Sequence, residues 1–136
     1  MKEKLKSFQM MHLALTLGVA IAYYFLAEIN SLDELLALPK IDSASIYIGI
    51  LPITAYVLGN ILFRTAVKKI DKKLSIEESL GAYQTASLIR WAIIEGAAFL
   101  IIFNNPDFIL FGIVLILYLA LLRPSEAIIK KDLEKY

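Results

Sequence analysis

Arg90 and Glu95 interrupt a stretch that is otherwise apolar, within Leu88-Ile89-Arg90-Trp91-Ala92-Ile93-Ile94-Glu95-Gly96-Ala97-Ala98-Phe99. A charge inside a bilayer costs several kcal/mol unless it is paired, hydrated or neutralised, so both residues ask for a partner. A carboxyl in such surroundings can take up and release a proton near neutral pH, which is the chemistry of a proton relay or of proton-coupled transport. The same residue can instead fix a helix contact. At about 100° per residue the two side chains point about 140° apart, so one helix cannot pair them with each other. Measured from Ala82 at about 1.5 Å per residue, Arg90 lies roughly 12 Å in and Glu95 roughly 20 Å in. The Arg90 side chain can therefore snorkel to the nearer surface, whereas Glu95 reaches neither surface easily.

Other polar residues could join them. Gln84, Trp91 and Glu95 fall on one helical face, while Arg90 points toward another helix or subunit. His12, Asn60 and Gln84 sit toward the same end of their segments, and with Thr16, Thr54, Tyr56 and Ser87 they could line a polar pocket. No cysteine is present and His12 is the one histidine, so no metal-ligand set, thiol chemistry or cofactor site is expected. No nucleophile-base constellation or nucleotide loop is visible, so an enzyme is not expected. The formal net charge of +1 leaves no excess to neutralise phosphates, so nucleic acid is not an expected partner.

The elements that must position these residues are long apolar runs, in a chain of 136 residues that is 59% hydrophobic. A hydrocarbon core roughly 30 Å thick needs about 20 apolar residues per helix. Spans are expected at about 8–27, 44–63, 80–103 and 108–122, giving an all-α integral membrane four-helix bundle built from two transmembrane hairpins as a single domain. Lys2, Lys4 and Lys6 before an apolar stretch, with Ala20-Ile21-Ala22 beyond, have the outline of a secretory signal. The apolar run continues to Leu26, however, which is membrane-spanning length.

Basic residues are retained on the cytoplasmic side. Lys2, Lys4 and Lys6 flank the first span; Arg64, Lys68, Lys69, Lys72 and Lys73 separate the second from the third; Arg123, Lys130, Lys131 and Lys135 follow the fourth. The other two connections carry only Lys40, so both termini and the central loop are expected to be cytoplasmic. Ser31 and Glu34 have the form of a capping box, with Leu32, Leu35, Leu36 and Leu38 apolar, predicting an interfacial helix over about 31–38 that ends at Pro39. Asn105-Pro106-Asp107 predicts a tight turn into the fourth helix. The tail, 123–136, reads as an amphipathic cytoplasmic helix with Ile128, Ile129 and Leu133 on its apolar side.

Lipid removes the hydrophobic drive between helices, so small residues and hydrogen bonds must hold them. Ala14, Gly18 and Ala22, Ala55 and Gly59, and Ala92 and Gly96 are the candidate packing ladders, within the monomer or in a dimer. Pro52 is expected to kink the second helix. Phe8-Gln9 can be aligned with Tyr83-Gln84 as the starts of two duplicated hairpins, although any two hairpins with basic ends share that outline.

The stretch from Tyr83 to Phe99, and the Leu122-Arg123-Pro124 junction, resemble a family of small bacterial four-span membrane proteins of uncharacterised activity, some of them labelled as transporters. This resemblance covers the second hairpin best and implies a four-span fold in a bacterial inner membrane. Ala92 to Phe99 also resembles the carboxylate-bearing helix of rotary ATPase proteolipids, whose embedded acid carries a proton or sodium ion. The dense glycine repeat of those proteins is absent here, so that likeness transfers Glu95 alone. Small multidrug exporters share four spans and one essential acid, but theirs is in the first helix. The resulting expectation is a structural or accessory membrane subunit, alone with lipid, as a homo-oligomer or in a larger membrane complex. The alternative is proton- or ion-coupled transport, or small-solute binding, using Glu95 and Arg90.

Overall fold

The computed structural model describes residues 2–27 and 36–136. Five α-helices account for most of them: α1 Lys2–Leu26, α2 Ile46–Lys68, α3 Ile76–Asn104, α4 Ile109–Leu121 and α5 Glu126–Lys135, with a single 3₁₀ turn over Pro106–Phe108 before α4. No strand occurs among the described residues. The helix expected over 31–38 lies largely outside the described residues.

Helices α1, α2 and α3 are each long and apolar enough to cross a membrane. A fourth crossing is reached only by counting Pro106–Leu121 together with Glu126–Lys135, a pair bent by 93°. The physical reason is length. Sixteen residues from Pro106 to Leu121 extend roughly 26 Å, which falls short of a hydrocarbon core of roughly 30 Å. The outward faces suit an oil-like solvent, since Tyr24, Phe25, Leu117 and Leu121 are all exposed, Leu121 by 79%.

The helix ends follow local chemistry. Ser75 caps α3: its hydroxyl accepts from the Glu78 N–H at 3.2 Å while the Glu78 carboxylate accepts from the Ser75 N–H at 2.8 Å. The Asn105 side chain accepts from the Asp107 N–H at 3.2 Å, and Pro106 occupies the first turn, where a missing N–H costs nothing. Ser125 caps α5 through the Ile128 N–H. Ahead of α2, the Asp42 carboxylate is held below the usual carboxylate range by the Ser45 hydroxyl and by the N–H groups of Ser45 and Ala44. Helix α2 continues through Pro52, and just beyond it the Thr54 hydroxyl donates to the Ile50 carbonyl.

Helix α3 lies at the centre and touches every other helix. Its burial is wide, including Leu80, Tyr83, Arg90, Trp91, Ile94 and Ile101, whereas α1 buries only the narrow line Phe8, His12, Val19 and Tyr23. The two helices run side by side in the same direction: Phe8 packs on Tyr83 and Trp91 near one end, and Tyr23 donates to the Ala98 carbonyl near the other. Helix α5 folds back over the end that carries both termini, with Ile129 fully buried and the Tyr83 hydroxyl donating to Asp132 at 2.6 Å. Ile128, expected on the apolar side of this helix, is exposed because the turn docks Ile129 instead.

The three small-residue ladders part company. Ala55 and Gly59 are buried against α3, but Ala14, Gly18, Ala92 and Gly96 are exposed. Helix α1 turns its aromatic and hydrogen-bonding side inward, and that rotation leaves its small residues facing out.

Candidate functional site

Arg90 is 9% exposed and is seated between α2 and α3 on a surface shaped for it. Gly59 lies beside its stem: a Cβ added there would meet Arg90 Cγ at 3.5 Å, an ordinary packing distance. One turn further along α2, Phe63 places its ring under the guanidinium, with Cζ 3.7 Å from the ring centroid. This contact gives a desolvated cation a favourable surface. On the other side, Nη1 donates to Asn60 Oδ1 at 3.3 Å. The Asn60 amide in turn donates to the Tyr56 carbonyl at 2.8 Å and to the Tyr118 hydroxyl at 2.9 Å, so its orientation is fixed by α2 and α4 together. Arg90 Nε is buried with no hydrogen-bond partner among the described residues.

His12 occupies a second, separate contact. Its Nε2 lies 2.7 Å from the Leu119 carbonyl oxygen. A carbonyl can only accept, so Nε2 carries the proton and donates, tying α1 to α4. The ring sits 4.8 Å from the ring of Trp91, whose own Nε1 is buried and unpartnered among the described residues. The Thr16 hydroxyl donates to the His12 carbonyl at 2.8 Å. Gln84 makes a third contact, donating to the Met11 sulfur at 3.0 Å across the edge of α1 and α3.

Glu95 is half-buried and has no hydrogen-bond or ion-pair partner among the described residues. It lies on the same side of α3 as Gln84 and Trp91, with exposed Ala92 and Gly96 beside it.

The sequence-derived candidates thus divide among separate contacts, with Thr16 bonded to His12 within α1. Arg90 and Asn60 meet. His12 and Asn60 both reach α4, but at the neighbouring residues Leu119 and Tyr118, whose positions on a helix differ by about 100°. Thr54 and Tyr56 are exposed on α2, with the Tyr56 ring 5.2 Å from that of Tyr118, whereas His12 and Thr16 line one groove between α1 and α4. Phe63, Tyr118 and the Tyr83–Asp132 pair were not legible as parts of these networks. Tyr83 and Asp132 are 49 residues apart, with no periodicity connecting them. Among the described residues no group of three His, Asp or Glu side chains could hold a metal ion.

No known family, curated protein or solved structure matches this chain.

Proposed function

We propose that the chain crosses a bacterial inner membrane four times, with the short α4 as the last crossing and both termini cytoplasmic, and that it serves as a structural or accessory subunit rather than as a carrier. The observation that carries this reading is the seating of Arg90. The most deeply embedded cation is occupied by Asn60 and the Phe63 ring in fixing α2 to α3, on the side of α3 away from Glu95. A conduction or coupling site would favour the two ionisable groups facing one another across a shared space.

Glu95 supplies the accessory half of the reading. An embedded carboxyl without a partner is costly, and the exposed Ala92 and Gly96 next to it permit close backbone approach by another transmembrane helix. A hydrogen-bond donor on that helix, from a second copy or from a different membrane polypeptide, would satisfy Glu95.

Purification in mild detergent with mass determination tests this. The native chain is expected to come out associated with itself or with another membrane polypeptide, and Glu95→Leu, which removes the hydrogen-bonding group, is expected to lower the associated fraction about fivefold while helicity by circular dichroism stays the same. A strictly monomeric native chain overturns the proposal. If vesicles containing that monomer also show pH-driven flux that Glu95→Gln abolishes, ion coupling replaces it.

A further inference from the structure

Between α1 and α4, at the end that carries both termini, runs a groove of about 450 Å³ whose lining includes Lys6, Arg123, Met10, Leu13 and Ala120. Its inner wall is held in place by two side-chain bonds from α1 to carbonyls of α4 and of the connection after it: His12 to Leu119, and Gln9 to Pro124 at 2.9 Å. The groove is therefore a built feature, fixed at two points.

Its chemistry is graded. Lys6 stands two residues before Phe8, where the apolar run of α1 begins, and Arg123 two residues after the end of α4, so both cations stand where the apolar segments meet water. Both are exposed, neither bonds to a described residue, and no carboxylate lines the groove. Deeper along α1, Met10 and Leu13 are 62% and 56% exposed. From Lys6 to Thr16 the groove follows α1 for roughly 15 Å, about the thickness of one leaflet's hydrocarbon.

We infer that this groove holds one anionic phospholipid, its phosphate between Lys6 and Arg123 and one acyl chain along Met10, Leu13 and Ala120. A pair of cations without a carboxylate favours a lipid of net negative charge over a zwitterionic one, whose tethered ammonium they repel. The apolar stretch favours a lipid over free phosphate. The inference is independent of Glu95, which belongs to α3 and takes no part in the lining.

Native mass spectrometry of the full chain, taken from mixed phosphatidylglycerol and phosphatidylcholine vesicles, reads this directly. One phosphatidylglycerol is expected to be retained in preference to phosphatidylcholine and to resist competition by inorganic phosphate. The double variant Lys6→Gln, Arg123→Gln is expected to weaken retention about twenty-five-fold, about fivefold per cation. Lys131→Gln with Lys135→Gln removes equal charge from α5 and is expected to leave retention unchanged. Leu13→Trp fills the apolar stretch with both cations in place and is expected to lower retention at least about tenfold. Equal retention of the two lipids, displacement by inorganic phosphate, an equal loss in the α5 variant, or no loss in Leu13→Trp would each overturn the inference.

Discussion

The α2–α3 interface and the α1 interface solve one problem, holding apolar helices together, by different means. Between α2 and α3 the contact is broad: the stem of Arg90 packs beside Gly59, Phe63 lies beneath its head and Asn60 accepts a hydrogen bond from it. Helix α1 is held along a thin line, by stacking of Phe8 on Trp91 at 5.1 Å and by point contacts from His12 and Tyr23 to carbonyls of α4 and α3. Where lipid is the alternative neighbour, exchanging lipid contact for protein contact gains little unless shapes fit closely or a polar group finds a partner. The first interface relies on fit around a charge; the second relies on a few directed bonds.

The sharpest way to break the comparison is Phe63→Ala, which removes both the packing and the face under the guanidinium. It is expected to lower stability by about 3 kcal/mol, at the lower end for a buried ring because the ring loses packing without gaining water. Unfolding in detergent by denaturant titration measures it, and a loss below about 1 kcal/mol would mean the broad interface is not what holds α2.

Next comes Gly112→Ala on α4. A Cβ there would overlap the Tyr23 ring, whose Cζ lies only 2.6 Å away, and Tyr23 is already committed to the Ala98 carbonyl. The methyl must displace α1 or break that bond, at a cost of about 2 kcal/mol. Tyr23→Phe in the same background should recover part of the loss. Failure to recover it would show that backbone displacement and not the Tyr23 hydroxyl is responsible.

The smallest expected effect is His12→Ala, about 1 kcal/mol, typical of a hydrogen bond between membrane helices. Its expected signature is local: faster proteolysis or hydrogen exchange in α1 with α2–α3 unaffected. Equal acceleration in all helices would mean that α1 and the α2–α3 pair unfold as one unit and that the contrast drawn between them is not energetic.

Much of this architecture is readable in the residues alone. Apolar runs of membrane-spanning length place α1, α2 and α3, because a helix that must satisfy its backbone without water declares itself by composition. Asn105-Pro106-Asp107 announces its turn, and Ser75 with Glu78 carries a capping box that a search for apolar spans passes over, since it lies ahead of the apolar residues. Arg90 and Glu95 stand out for the same reason as the spans do: their cost in oil is a property of the side chain and not of its neighbours.

Their partners are another matter. Helical spacing alone separates Arg90 from Glu95, but it does not say that Asn60 and Phe63, from about thirty residues earlier, will meet the guanidinium. Nor does it say which ladder of small residues turns inward: Ala55 and Gly59 do, Ala14 and Gly18 do not, and the three ladders look alike as sequence. Rotation of a helix about its axis is decided by the sum of contacts to all its neighbours. The sequence by itself therefore determined which segments are helical and which residues are expensive, and the tertiary structure alone decided which face of each helix is spent on packing and which remains outside.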